Sequence, residues 1–247
     1  MRTALRGLGE AFITLGFLIL LFVVYQLYWT GVLARQARAD ELDKLEAQMK
    51  QNLAAAAPPV TTPAADPPSP AAPEPAPQPP YEPGKSFAVM YIPRFGGDWK
   101  WTVLAGTSTN TLKKGLGWYE GSAQAGQDGN FAIAGHRKTY GDPMIDFPKL
   151  RVGDKVVVND TVNWYVYSLD KPLVNGTSDK AVYKTLPDDV GVVATVPAKA
   201  FDRPGKYITL TTCDPEWGSS HRLIAWGHLE SVQPLSAGEP EALKGAS

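Results

Sequence analysis

The chain has 247 residues, 24 Lys plus Arg against 25 Asp plus Glu, and a formal net charge of −1. That balance supplies no basic face of the kind nucleic acid requires. Its single cysteine rules out a disulfide within the chain and a cysteine metal cluster, and suits an exported protein whose fold does not rely on disulfides.

Residues 11–34 carry no charge, and Phe12-Ile-Thr-Leu-Gly-Phe-Leu-Ile-Leu-Leu-Phe-Val-Val24 is almost purely apolar. A helix needs roughly 20 apolar residues to cross a bilayer, and Tyr25, Tyr28 and Trp29 stand where amphipathic rings favour the headgroup zone. The run exceeds the core of a signal peptide, so it predicts an uncleaved signal-anchor over 11–34. Residues 1–10 then form a cytoplasmic N-terminus, and the large C-terminal part lies outside the cell. Residues 35–53 are charged and helix-favouring, a short continuation of that helix. Residues 54–86 are rich in Pro and Ala and lack the side chains needed for a core. Such a segment reads as a spacer, and about 30 residues at ~3.1 Å each would reach roughly 90 Å.

Residues 87–232 are punctuated differently. Short β-rich runs at 87–93, 130–134, 155–158, 163–168, 190–196, 207–212 and 222–229 alternate with Gly, Pro, Asp and Asn. That spacing predicts one all-β domain, a barrel or a sandwich with short helices at most. Residues 233–247 are small and polar, a tail expected to fray.

Cys213 ends the run Tyr207-Ile-Thr-Leu-Thr-Thr-Cys213, where the chain leaves the sheet and a side chain can meet a substrate. A lone cysteine is more often a small buried hydrophobe; the neighbourhood argues for more. His136 follows the apolar run 130–134, again at a strand end. An imidazole near a thiol favours the thiolate, the reactive form, although the sequence leaves open whether the two meet. Arg222 lies nine residues beyond Cys213 on the following strand. A hairpin of that length sets the two side by side, and a fixed cation with several donors suits an oxyanion. His221 and His228 read as structural. No acidic cluster has calcium-loop spacing, so neither metal nor cofactor is expected.

Taken in order, Gly135-His136-Arg137, Thr209-Leu-Thr-Thr-Cys213 and Arg222 resemble the sortase signature. Ile92-Pro93-Arg94, Leu112-Lys-Lys-Gly115, Gly129-Asn130 and Gly153-Asp154 add to the match. The resemblance implies an eight-stranded β-barrel and a membrane-anchored cysteine transpeptidase of Gram-positive bacteria. In that role Cys213 attacks the Thr–Gly carbonyl of a C-terminal sorting signal, Arg222 steadies the oxyanion, and His136 moves the proton. Thr212 would add a hydroxyl or backbone donor beside the nucleophile. The acceptor amine would belong to a peptidoglycan precursor such as lipid II, and the partners would be surface proteins bearing the signal. Thr139-Tyr140-Gly141 points to class E sortases of actinobacteria, which prefer Leu-Ala-x-Thr-Gly over Leu-Pro-x-Thr-Gly. Tyr140 is the implied reader of that difference. Met144 departs from the pattern, where a Phe is expected. Two rival readings are an exported cysteine hydrolase with the same triad and a wall-binding domain whose triad is idle.

Overall fold

The computed structural model describes residues 2–56, 80–175 and 180–245. Its centre is a closed barrel. The strands in chain order are β1 (Ser86–Tyr91), β2 (Lys100–Ala105), β3 (Leu116–Trp118), β4 (Gly129–Ala134), β5 (Lys155–Asn159), β6 (Asn163–Leu169), β7 (Val182–Thr185), β8 (Lys206–Asp214) and β9 (His221–Pro234). Pairing runs β6-β5-β1-β2-β3-β4-β8-β9, and a further β6–β9 ladder joins the ends. Eight strands therefore close on themselves, and β7 adds to the β9 edge as a ninth strand outside the ring. Closure removes the exposed edges of an open sheet.

The length of β9 makes closure possible. Its first half pairs with β8, from His221 opposite Asp214 to His228 opposite Tyr207, and its second half pairs with β6. The strand changes partner near Gly227, where an added Cβ would stand 2.5 Å from the Ser168 carbonyl oxygen. Only glycine lets β6 approach that closely. Alternation sorts the side chains: Ile208, Leu210, Leu223 and Ala225 point into the main core, while Ile224 and Trp226 on the other face pack with Val192 and Ala200.

Several expectations are corrected here. Residues 190–196 are not a strand; Val190–Val193 form a 3-10 turn, with Val190 76% exposed and only Val192 buried against Trp226. A strand there would have to bury a whole face, and the site offers one hole. β2, β3 and β7 are additional. The tail does not fray at 233, because β9 runs to Pro234 and a short helix, Glu241–Lys244, follows. Leu235, Ala242 and Leu243 pack against Val157, Trp164 and Val166 on the outside of the barrel. The folded unit also starts earlier than 87, since Tyr81 stacks on Phe87 at 3.6 Å.

Helix α1 (Arg2–Ala56) includes the extension expected over 35–53 and runs three residues further. Its last turns lie on the barrel. Leu45 is 3% exposed, and Met49 joins the Trp164 cluster. Glu46 pairs with Lys100 at 2.8 Å, Glu41 accepts from Ser86 Oγ at 2.5 Å, and Asn52 donates to the Thr161 carbonyl at 2.8 Å. Residues 57–79 of the expected spacer lie outside the described residues. Among the described residues no helix is long and apolar enough to cross a membrane. The side chains of residues 26–35, part of the expected span, also lie outside them.

Candidate active site

Cys213 and Arg222 are direct cross-strand partners in the β8–β9 ladder. Opposed residues of an antiparallel pair project to the same face, with Cβ atoms roughly 4.5–5.5 Å apart. The hairpin expectation is thus met by register. Arg222 Nη1 donates to the carbonyls of Ser219 and His221, each at 2.9 Å, which anchors one edge of its guanidinium to the loop.

His136 comes in from the other side of β8. Strands β4 and β8 run parallel, from Gly129 opposite Lys206 to Ala134 opposite Thr211. The Gly135 N–H then donates to the Thr211 carbonyl at 3.0 Å. Two residues past Ala134 and Thr211 stand His136 and Cys213, still in step. Both line one cavity of about 280 Å³, together with Arg137, Lys138, Thr139, Glu216, Trp217 and Gly218. Trp217, 78% exposed, forms part of its wall with Lys138 Nζ 5.3 Å from its ring centroid.

The surroundings of His136 disfavour its charged form. Its Nε2 is buried with no hydrogen-bond partner among the described residues. Burial and then the charge of Lys113 push its pKa below the ordinary histidine value. Lys113 is placed by helix α2 (Thr109–Leu112), whose first turn is capped by Ser108 Oγ accepting from the Thr111 N–H, with Lys113 closing the C-terminus. Its Nζ stands 5.6 Å from the Tyr140 ring centroid, and that ring stands 5.2 Å from His136, tilted by 36°. Lys113→Gln should therefore raise the His136 titration midpoint, read by NMR of the imidazole. The midpoint should still fall short of the ordinary value, because burial is the larger cause. A midpoint that did not rise would remove Lys113 from the site's electrostatics.

The turn carrying Tyr140 is held under strain. Thr139, Tyr140, Gly141 and Asp142 all have positive φ, at 83°, 52°, 92° and 54°. Only glycine adopts that region at no cost, and a β-branched residue such as Thr139 is an outlier. The Asp142 carboxylate accepts from the Thr139 N–H at 2.6 Å and secures the turn. At Gly141 an added Cβ would lie 2.8 Å from Trp101, so no other residue fits. Such strain collects where a side chain must be aimed, costing of order 1–3 kcal/mol per residue.

Thr212 turns out differently. It is buried, and its hydroxyl donates to the Gly135 carbonyl at 2.8 Å, tying the β4 end to the β8 end. Of the predicted hydroxyl or backbone donor, the hydroxyl is committed elsewhere. Met144 is fully buried in the main core beneath this turn. His228 pairs with Asp170 at 2.8 Å and His221 meets Ser220 at 3.0 Å, and neither histidine lines the cavity holding Cys213. Among the described residues no group of His, Cys, Asp and Glu could hold a metal. Lys113 and the Arg137–Asp214 ion pair of 3.2 Å carry no mark in sequence: Arg137 belongs to the Gly135-His136-Arg137 motif, but nothing local points to its partner 77 positions on.

A cysteine at a strand end, an arginine opposite it and a histidine in step just past the next strand form, on a closed eight-stranded barrel, a site suited to cysteine acyl transfer. Residues 90–230 match the sortase domain family. The chain belongs to the sortase family, and its likeness is to the class E members. It is 38% identical over 248 residues to Sortase SrtE1 of Streptomyces coelicolor, covering 97% of this chain and 61% of that relative's length. Sortase E from Streptomyces avermitilis superposes with a TM-score of 0.59 at 55% identity, covering 66% of this chain and 99% of that one. Sortase E1 from Streptomyces coelicolor, crystallised with a tripeptide in the active site, gives 0.58 at 34% identity with the same coverage.

Proposed function

We propose that this chain is a membrane-anchored cysteine transpeptidase that cleaves a C-terminal sorting signal between Thr and Gly and joins the client protein to an amine of a peptidoglycan precursor such as lipid II. The reading rests above all on the register that sets Arg222 opposite Cys213 and His136 in step with it. The cysteine Sγ forms a thioester with the threonine carbonyl while the bond to glycine breaks. His136 takes the thiol proton and returns it to the departing glycine amine. Arg222 stabilises the oxyanion through donors not committed to the loop carbonyls. The acceptor amine then attacks the thioester, loses a proton to His136 and restores the thiol.

The uncharged run 11–34 supports a signal-anchor that leaves residues 1–10 in the cytoplasm and the barrel outside the cell. The tripeptide held in the active site of the Streptomyces coelicolor relative supports a peptide substrate here.

Tyr140 is the proposed reader of the second signal position. Its phenol adjoins His136 and can bond to a peptide backbone or crowd a proline ring. Alanine offers a backbone N–H there and proline none. The test offers the purified chain Leu-Ala-x-Thr-Gly and Leu-Pro-x-Thr-Gly peptides with an amine acceptor and follows both products. The alanine peptide should be preferred, with amide product exceeding free acid. Tyr140→Phe should change the ratio of kcat/KM between peptides about fivefold, the weight of one hydrogen bond of roughly 1 kcal/mol. An unchanged ratio in Tyr140→Phe and Tyr140→Ala would withdraw the specificity role. Free acid alone would make the chain a hydrolase.

A further inference from the structure

The last ladder residues of β4 and β8, Ala134 and Thr211, are 77 positions apart in sequence, as the paired positions before them are. The same interval separates Gly135 from Thr212, His136 from Cys213 and Arg137 from Asp214. Two of those three pairs are bonded. Thr212 Oγ1 donates to the Gly135 carbonyl at 2.8 Å, and Arg137 Nη1 donates to Asp214 Oδ1 at 3.2 Å. The pair between them is the proposed base and nucleophile. Strand geometry itself no longer enforces the register at this point, since the main-chain ladder stops at Gly135.

Arg137 is built into the structure. It is 6% exposed, an unusual degree of burial for an arginine. Its Nε donates to the Ile145 carbonyl at 3.4 Å, and its Nη2 lies 3.8 Å from Glu216 Oε1. One planar cation thus holds the strand end that carries Cys213, the loop after it and the loop after His136. Asp214 is shared: its second oxygen accepts from Lys184 at 2.7 Å, and these cations hold its carboxyl below the usual carboxylate range.

We propose that Arg137 is a positioning residue, whose ion pair with Asp214 carries the β4–β8 register one step past the ladder and so holds His136 against Cys213 for proton transfer. The inference rests on the catalytic reading of those two residues. It explains why an ionic clamp stands where a hydrophobic pair would fold as well. A buried ion pair contributes little net stability compared with apolar residues of similar volume, but it fixes geometry. A misplacement of about 1 Å between reacting groups can cost roughly a hundredfold in rate.

The test compares wild type with Arg137→Gln, Arg137→Lys, Asp214→Asn and the Arg137→Gln/Asp214→Asn double variant. Lys184 remains on Asp214 in the first two, so no bare carboxylate is left buried and the fold should survive. Peptide release should show kcat reduced up to a hundredfold in Arg137→Gln with KM within about twofold. Lysine should recover only part, because an ammonium reaches Asp214 without also holding Ile145 and Glu216. The double variant should be no worse than the poorer single variant.

A second readout needs no turnover. The rate of Cys213 alkylation by iodoacetamide should carry the His136 titration in wild type, and lose it in Arg137→Gln as in His136→Ala. The other charged and titratable groups near the pair, Lys113, Lys138, Tyr140, Asp214, Glu216, His221 and Arg222, are common to wild type and Arg137→Gln. An inactive wild type that still shows the coupled alkylation profile would overturn the transpeptidase reading and leave the clamp standing. Folded Arg137→Gln with wild-type kcat and a wild-type alkylation profile would overturn the clamp, as would multiplicative losses in the double variant. Should Arg137→Gln lose its cooperative melt, Arg137→Lys and Asp214→Asn carry the same comparison.

Discussion

Cys213→Ala is expected to abolish both cleavage and transfer, and Arg222→Ala to lower turnover by roughly 10²–10³ with the barrel intact, the usual cost of one oxyanion donor. The fold should survive because both side chains stand at a strand end and are only half buried. Arg222 is also oriented before substrate arrives, its Nη1 fixed by the Ser219 and His221 carbonyls. Arg222→Lys should therefore rescue little: an ammonium is a point charge and cannot hold the loop with one edge while donating with another. Single-turnover release of the glycine-bearing fragment, with circular dichroism as the folding control, checks both variants. Near-normal turnover in Arg222→Ala would move the oxyanion to a backbone N–H, since the Thr212 hydroxyl is already given to Gly135.

Removing residues 1–56 should cost the barrel measurable stability, even though it carries the complete core cluster without them. Leu45 is sealed between helix and barrel, and Met49 covers Trp164. Leu45→Ala alone should cost about 2–3 kcal/mol, the low end for a buried leucine, because this site borders the surface. At roughly 2–4 °C per kcal/mol for a protein of this size, the melting temperature should drop by about 5–10 °C. Differential scanning calorimetry reads this directly, and an unshifted melt would mean the helix does not dock. Turnover on a short peptide should change far less, as no residue of α1 lines the cavity holding Cys213.

Residues 35–86 read in sequence as extension and spacer, and the docking of the helix escapes that pattern for a physical reason. Leu42, Leu45 and Met49 share one helix face at i, i+3 and i+7, but Asp, Glu, Lys and Gln surround them, so the apolar stripe is only three residues long. What it covers, an outer barrel face around Trp164, is assembled from β5, β6 and the chain's last turns, and no local pattern announces it. β3 is invisible for a different cause: three residues centred on Gly117 carry too little alternation to register as a strand. Conversely, 190–196 has strong β composition and forms no strand, since a single valine finds a hole.

The candidate site positions are legible in sequence because Cys213 falls near the end of β8, His136 just past the apolar run of β4, and a hairpin of fixed length brings Arg222 to Cys213. Other motif residues prove to be pins. Arg94 grips Asp154 through Nε and Nη2 at 2.6–3.0 Å, and Asn130 binds the Ala194 carbonyl and the Thr209 hydroxyl. Charges that act across 77 positions, as Arg137 and Asp214 do, leave no periodic trace.

The docking of α1 also decides how the barrel meets what it acts on. On the membrane reading proposed above, residues 34 and 41 are separated by only about 10 Å of helix at 1.5 Å per residue. With the helix end and the barrel in contact, the ~90 Å that the length of the proline-rich stretch suggests would not separate the catalytic end from the helix. A lipid-linked acceptor amine, as proposed above, would diffuse within the bilayer plane. Encounter between barrel and acceptor would then be a two-dimensional search, with local concentrations in the roughly millimolar range typical of short tethers. Modest affinity for each partner would then suffice, and a soluble fragment offered the same peptides in dilute solution would understate the rate at the surface.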